Sequence, residues 1–480
     1  MKRNKTFVKM SVVIMAWLSL AGTSVRAQEQ QGGEPPKPPA RTYGPIGVDD
    51  QQDANQTQDT LQPDNRPLTG FQEATVGTPM ERHSYWVPGV SYYNTIQSSG
   101  DLQGGGNSWV STNYVTGNIS LLENWSRSQL AVNYSGGGVF STDSTVGNGW
   151  FQQLGVSQTF HWTRIQLILL DEFAYLPQAQ FGFGAGTGLA YPGIGGSLGG
   201  GQTGLAPGFN PGQTIFTAIG PRYTNVGGLQ ANYLLTPRSS ITLGGLVSIL
   251  RFSDPGNVES NNYIGNAGFN YQISRNNTVG LLYRYSSLHY LGSPQAIGDH
   301  IIQVAYGRKI TGRLALQLSA GPEITKFRQA LEPGGKTQVI GGSGGASLTY
   351  AFERGAVSGN YFHGVTGGSG VFQGAITDQV TANGTRKLNR VWSGDAHMGY
   401  ARNHNAETLQ GINSTTYNTY FAGASASHPL GRNAGFTVGY TAYVNDSTSA
   451  GCTGAACSSS FTVHQISVAL NWHSHPFVLR

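Results

Sequence analysis

Apolar and polar residues alternate at a spacing of two along most of the chain from about Tyr85 onward. The alternation runs in segments of about ten to fourteen residues, rich in Tyr, Phe, Val, Thr and Leu and separated by turn residues. In one segment Leu314 and Leu316 share a face, and Gln317 and Ser319 share the other. Successive side chains of a β-strand point to opposite faces. The pattern therefore predicts a series of strands with one apolar and one polar face.

Short and long connections alternate between these predicted strands. The short connections are 123–126, 162–163, 236–239, 275–277, 310–312, 353–354, 389–390 and 429–433. The longer connections are 141–149, 177–220, 254–260, 292–298, 328–336, 367–375, 402–414 and 445–459. Such alternation is typical of membrane-spanning β-barrels, which have short turns on the periplasmic side and longer loops outside.

The number of strands follows from the same alternation. It gives 17 strands between Trp109 and Trp472, an odd total that would leave the termini on opposite sides of the membrane. A further strand at 85–97 makes 18, and 16 is the alternative because Pro88 weakens that first strand. We predict an all-β fold for 84–480: a transmembrane antiparallel up-and-down β-barrel of 18 strands, or of 16, with both termini in the periplasm.

The first 83 residues differ in composition from the rest. Residues 1–27 have the features of a secretory signal: a basic start, an apolar stretch and a small-x-small sequence ending at Ala27, after which we expect cleavage. Residues 28–83 hold eight of the 21 prolines and many glutamines, which predicts a disordered arm in the periplasm. We interpret the arm as a spacer; docking on peptidoglycan or on a partner is the alternative.

Charge and hydropathy exclude two classes of protein. Five of the 29 basic residues and no acidic residue lie in the signal, so 24 basic and 24 acidic residues remain and the mature chain carries no net charge. This balance argues against nucleic acid as a partner. No apolar run after residue 27 approaches the length of about 18 residues that a membrane-spanning helix needs.

The export signal, the alternation, the loop lengths and the aromatic-rich last strand resemble the porin-like outer-membrane β-barrels of diderm bacteria over residues 85–477. The resemblance implies location in the bacterial outer membrane among its lipids, passage of small hydrophilic solutes, and a homotrimer. One departure concerns the C-terminus, because such barrels usually end on an aromatic residue that is read during assembly. This chain continues from Trp472 to Phe477 and Arg480. Either the assembly machinery recognises Phe477 although three residues follow it, or it recognises another strand.

Polar side chains on the inward faces define the candidate site. A barrel of this size is wide enough to hold water unless something fills it. We expect a passive diffusion channel for small hydrophilic solutes with weak charge selectivity; the alternative is a non-conducting structural or export-associated barrel whose loops plug the lumen. The residues predicted to line the lumen are Gln129, Asn133, Gln230, Asn232, Arg284, Gln303, Gln317, Glu323, Asp395, His397, Gln465 and Asn471.

Connection 177–220 is the third outer loop in the 18-strand count, and in the general porins that the chain resembles this loop folds inward to narrow the pore. It has 44 residues, of which 14 are Gly and none is charged, and this composition suits packing inside a lumen. A mobile outer flap is the alternative. The aromatic residues expected to pack on the inner wall, or to offer sugars a stacking surface, are Phe181, Phe183, Tyr191, Phe209 and Phe216.

Other motifs give no convincing catalytic or metal site. The sequence G-x-S-x-G occurs at 195–199 and 341–345, about as often as chance predicts, and neither match follows a buried parallel strand. Asp395 and His397 share a face and are a candidate pair for a barrel-embedded hydrolase, but we interpret them as lumen-lining. Cys452 and Cys457 precede the last strand, and an oxidising compartment predicts a disulfide between them. We expect no enzyme activity, no cofactor and no metal.

Overall fold

A computed structural model describes residues 67–71, 84–98, 109–142, 148–176, 221–253, 257–328, 337–406, 415–449 and 458–479. Most of these residues lie in 18 long strands, and a two-residue strand follows them. No helix within the described ranges is long and apolar enough to cross a membrane. The strands are β1 Tyr85–Ser98, β2 Trp109–Asn124, β3 Ser128–Ser141, β4 Gly149–His161, β5 Ile165–Leu176, β6 Arg222–Thr236, β7 Ser239–Phe252, β8 Ser260–Ser274, β9 Asn277–Tyr290, β10 Ala296–Lys309, β11 Leu314–Phe327, β12 Gln338–Phe352, β13 Gly355–Thr366, β14 Ala375–Lys387, β15 Ser393–Asn405, β16 Thr415–Pro429, β17 Ala434–Ser449, β18 Ser458–His473 and β19 Phe477–Val478.

The sheet closes on itself, because β1 pairs antiparallel with β18 as well as with β2. The closing register runs from Gly89 opposite His473 to Gln97 opposite Gln465. Pro88 lies one residue before this pairing begins, and its carbonyl accepts a hydrogen bond of 2.9 Å from the Ser474 N–H. The first strand therefore forms despite its proline. The predicted closed antiparallel barrel of 18 strands is confirmed, and the alternative of 16 is wrong.

The C-terminal residues continue the wall after a break at Ser474–Pro476. Strand β19 pairs with the start of β1, with Phe477 opposite Trp86. The two rings stack at a centroid distance of 4.7 Å. Phe477 thus lies in the barrel seam beyond Trp472; which strand assembly reads stays a prediction.

Side chains on each strand alternate between the interior and the outer surface of the barrel. On β8, Ile264, Asn266 and Asn270 are buried inside, whereas Tyr263 and Phe269 are exposed on the outside. Because backbone hydrogen bonds run within the wall, the polar inward groups pair with one another or with whatever occupies the interior.

Some outer strand ends extend further than the sequence pattern predicts. Strand β15 runs to Asn405 and β17 to Ser449, several residues into the predicted connections. Asparagine is typical of turns, but here Asn403 and Asn445 are buried and accept hydrogen bonds from Thr377 (2.7 Å) and Thr419 (3.3 Å). Strand pairing continues past these asparagines because a threonine hydroxyl on the neighbouring strand donates a hydrogen bond to each inward amide.

Candidate functional site

The predicted lumen-lining residues all lie at positions of inward parity. Six of them are buried: Gln230, Asn232, Arg284, Gln303, Glu323 and Gln465. The other six are half-buried: Gln129, Asn133, Gln317, Asp395, His397 and Asn471.

Amide side chains make much of the hydrogen bonding along this wall. The Gln230 amide donates to Asn232 Oδ1 at 3.1 Å, and the Asn232 amide donates to Gln166 Oε1 at 3.2 Å. Further along the wall, the Gln303 amide on β10 donates to Ser343 Oγ on β12 at 3.0 Å. The wall is therefore polar without being strongly charged.

Three charged residues meet on the inward faces of β9, β10 and β11. Arg284 interacts electrostatically with Asp299 and Glu323, and all three are buried. Thr325 donates to Asp299 Oδ1 at 3.0 Å, and the backbone N–H of Val365 donates to Glu323 Oε1 at 3.0 Å. Our lumen-lining prediction missed Asp299, although it shares the parity of Gln303 four residues further along β10. The cluster combines two acidic groups with one basic group.

A short piece of the predicted arm, Pro67–Phe71, lies inside the barrel; we call it the inner segment. Thr69 and Phe71 are fully buried. The Phe71 N–H donates to Gln230 Oε1 at 2.8 Å, and the Thr69 N–H donates to Asn270 Oδ1 at 3.2 Å. The Asn266 amide returns a hydrogen bond of 3.1 Å to the Thr69 carbonyl. Wall amides that we predicted to face a wet lumen, such as Gln230, thus bind a peptide backbone.

The Phe71 ring occupies an apolar cluster on the inner wall. Its buried neighbours are Val226, Leu246, Ile264 and Leu282. Leu170 packs against the same cluster. These apolar residues stand at inward positions of five consecutive strands, where a purely water-filled channel would carry polar groups. The arm was predicted to be disordered because of its prolines and glutamines, but Leu68 and Phe71 supply the apolar surface that docks this part of it.

The connection Gly367–Gly374, which we call the inward loop, also packs against inward-facing residues near the outer end of the barrel. Its Gly370 carbonyl accepts a hydrogen bond from the Val258 N–H at 2.8 Å. Phe372 is buried, with its ring 5.4 Å from that of Tyr417. Gly370 has a φ of +83°, and a Cβ there would overlap the Phe252 ring, so glycine is required for this fold-back.

The predicted constriction loop and disulfide fall outside the described residues. These are the loop 177–220 with Phe181, Phe183, Tyr191, Phe209 and Phe216, and the pair Cys452 and Cys457. Both stay predictions. Most of the predicted arm and all of the predicted signal segment also lie outside the described ranges.

Two histidines within strands, the predicted hydrolase candidate His397 and His363, lie in different environments. His397 faces inward, with Nε2 3.4 Å from Thr441 Oγ1. His363 faces outward and its Nδ1 lies 2.7 Å from Asp378 Oδ1, a pair that our sequence analysis missed because the partners are 15 residues apart. The β13–β14 register, which sets His363 opposite Asp378, is the signal that would have found it. Within the described ranges no group of three or more His, Cys, Asp or Glu side chains is arranged to hold a metal ion.

The outer surface of the barrel is apolar, with aromatic residues toward both ends. Exposed aromatic side chains toward the long-loop end include Trp109, Phe140 and Trp150. Those toward the short-turn end include Trp125, Trp162 and Trp472. A closed antiparallel barrel with an apolar exterior flanked by aromatic residues is the structure of a transmembrane β-barrel. The described strands therefore form a membrane-spanning β-barrel.

No protein-family model matches the sequence, and no curated protein is significantly similar to it. Similar solved structures include OpdQ of Pseudomonas aeruginosa, with 10% identity and a TM-score of 0.40 over 82% of this chain and 98% of that chain. OccAB3 of Acinetobacter baumannii has 9% identity and a TM-score of 0.41 over 82% and 99% of the two chains. OccK5 (OpdH) of Pseudomonas aeruginosa has 10% identity and a TM-score of 0.40 over 82% and 98%.

Proposed function

We propose that the barrel is a passive diffusion channel for small hydrophilic solutes across the outer membrane. The observation that carries this proposal is the inner wall of a closed barrel of 18 strands, whose buried polar side chains are mostly uncharged amides and hydroxyls. Such groups exchange hydrogen bonds with water and with sugars or small polar solutes without strongly selecting a charge. Of the twelve inward side chains predicted from the sequence, we propose that six line the path, because the other six lie on β6 to β11, where the inner segment packs. The six are Gln129, Asn133, Asp395, His397, Gln465 and Asn471.

The path is proposed to be asymmetric in cross-section. The inner segment packs on the wall formed by β6 to β11. The inward loop packs near the outer ends of β7, β9, β10 and β16. We propose that solutes pass along the opposite wall, and that the loop 177–220 narrows the passage further. By its resemblance to porins we also propose a homotrimer, which cross-linking of the protein in native membranes tests.

A non-conducting barrel is the second candidate. It is favoured by one observation, namely that two separate parts of the chain, the inner segment and the inward loop, pack against the inner wall. If they and the loop 177–220 together fill the cross-section, the barrel serves as a structural or export-associated component.

Liposome swelling distinguishes the two candidates. Purified protein is reconstituted into liposomes, which are then diluted into uncharged sugars of increasing size. The channel proposal predicts swelling rates that fall with sugar size, and a faster rate when residues 182–212 are deleted from the proposed constriction loop. No swelling by the correctly folded parent, together with swelling by the deletion variant, would establish the plugged barrel instead. If the parent and the deletion variant swell at the same rate, the loop 177–220 is not a constriction, but the channel proposal stands.

A further inference from the structure

The wall that holds the inner segment has the composition of a peptide-binding site rather than of a pore lining. Its polar contacts are directed mainly at the peptide main chain. Gln230 accepts from the Phe71 N–H (2.8 Å), Asn266 donates to the Thr69 carbonyl (3.1 Å), and Gln317 donates to the Leu68 carbonyl (3.5 Å). Any peptide presents these main-chain groups.

One wall residue contacts both the main chain and a side chain. Asn270 accepts from the Thr69 N–H at 3.2 Å through Oδ1 and donates to Thr69 Oγ1 at 2.8 Å through its amide nitrogen. The amide of Asn270 also lies 3.3 Å from Thr242 Oγ1, which orients it. The site therefore favours a small hydroxyl residue at this position of the peptide.

Glycines in the wall provide the space for the segment. A Cβ added at Gly268 would overlap the Thr69 side chain, and one added at Gly307 would lie 2.7 Å from Leu68 Cδ2. A Cβ at Gly280 would lie 3.0 Å from Thr69 Cγ2. The absence of side chains at these inward positions forms a groove whose shape matches a bound peptide.

The end of the groove is an apolar pocket. Phe71 fills it, two residues after the threonine, and is fully buried. A turn with a hydrogen bond of 3.1 Å from the Gly70 N–H to the Pro67 carbonyl shapes the segment that enters it. A Cβ at Gly70 would lie 2.9 Å from Gln230 Oε1, so a glycine before the aromatic residue lets the Gln230 amide approach the peptide closely.

We propose that this wall section is a peptide-binding site, occupied in cis by the inner segment, and that it takes a free peptide of the same chemistry when the segment is absent. The peptide class is a short turn-forming sequence with a small hydroxyl residue, a glycine and then an aromatic residue. This inference does not depend on solute conduction, because binding to the wall is distinct from passage through the barrel.

Binding of a synthetic peptide tests the proposal. The probe is a dye-labelled peptide with the sequence of Pro67–Phe71, titrated against full-length protein in detergent micelles and followed by fluorescence anisotropy. The acceptor is a variant with its own segment undocked by Leu68→Ser, Thr69→Gly and Phe71→Ser. We expect saturable binding to this variant and at least tenfold weaker binding to the parent, since the parent's groove is full. A matched peptide ending in Ala instead of Phe should bind at least tenfold more weakly to the variant.

A tethered segment has an effective concentration of the order of millimolar, which sets the range of the titration. Heat-modifiable migration on gels establishes that each barrel is folded. The proposal is overturned if the folded variant shows no saturation up to about 10 mM peptide, if parent and variant bind alike, or if the Ala peptide binds as well as the Phe peptide. Introducing Gly268→Val into the variant provides a second check, because it fills the groove and should abolish the saturable binding.

Discussion

Docking of the inner segment inside the barrel makes a quantitative prediction for Phe71→Ala. The Phe71 side chain is fully buried among apolar residues of the wall, and such burial contributes about 1.5 to 3 kcal/mol. Amide exchange at Thr69 and Phe71 requires their hydrogen bonds to Asn270 and Gln230 to open. Each loss of about 1.4 kcal/mol raises an equilibrium constant tenfold, so the substitution should raise the opening constant roughly 10- to 150-fold.

Hydrogen–deuterium exchange with mass spectrometry measures this change in the purified protein. Peptides that cover the inner segment should exchange faster in Phe71→Ala by the stated factor, and by a much smaller factor in the control Phe71→Leu, which keeps most of the apolar surface. Peptides from β8 should keep slow exchange in all three proteins, because the barrel wall is intact. Equal exchange of the segment in the parent and in Phe71→Ala, or full exchange already in the parent, would refute docking through this ring.

Three further predictions concern the wall and the loops. Ile302→Arg should impair assembly, because Ile302 lies in the middle of β10 on the outer face and an arginine at the bilayer midplane costs about 2 to 4 kcal/mol, whereas Gln317→Arg on an inward face should assemble normally; equal amounts of heat-modifiable barrel from both would show that the facing assignment is wrong. Arg284→Gln removes the cation beside the buried Asp299 and Glu323 and should lower the temperature at which the barrel loses its heat-modifiable fold, since breaking a buried ion pair costs about 3 to 5 kcal/mol; an unchanged transition temperature would contradict this account. Cys452 and Cys457 should be unreactive toward thiol reagents in unreduced, unfolded protein, and replacing both should leave barrel stability nearly unchanged because the loop they close is small; two titratable thiols would exclude the disulfide.

The barrel could be predicted from the sequence because each strand repeats the same local rule. One face of a strand such as β8 must suit lipid and the other must suit the interior, so Tyr263 and Phe269 alternate with Asn266 and Asn270. Loop lengths then order the strands. Strand ends were less predictable, because inward asparagines near the outer rim, such as Asn403, have the composition of a turn but are satisfied by neighbouring hydroxyls.

The contents of the interior could not be predicted by the same rule. Docking of the inner segment joins Thr69 to Asn270, which are 201 residues apart in sequence, and no local pattern encodes such a contact. A weaker signal was present: Val226, Leu246, Ile264 and Leu282 place apolar side chains on inward faces. Their occurrence on adjacent strands indicates that something apolar covers the wall there. The inward loop is similarly marked by the glycines around Phe372, which permit its positive-φ turns.

Single-channel recording in a planar lipid bilayer tests the central claim most directly. Purified, heat-modifiable protein should insert and give discrete current steps whose size scales with electrolyte conductivity. The reversal potential in a potassium chloride gradient should lie near zero, because the described wall carries few charges of both signs. Repeated insertion of folded protein without any current step would contradict a passive channel. The non-conducting barrel with a plugged interior would then be the supported proposal.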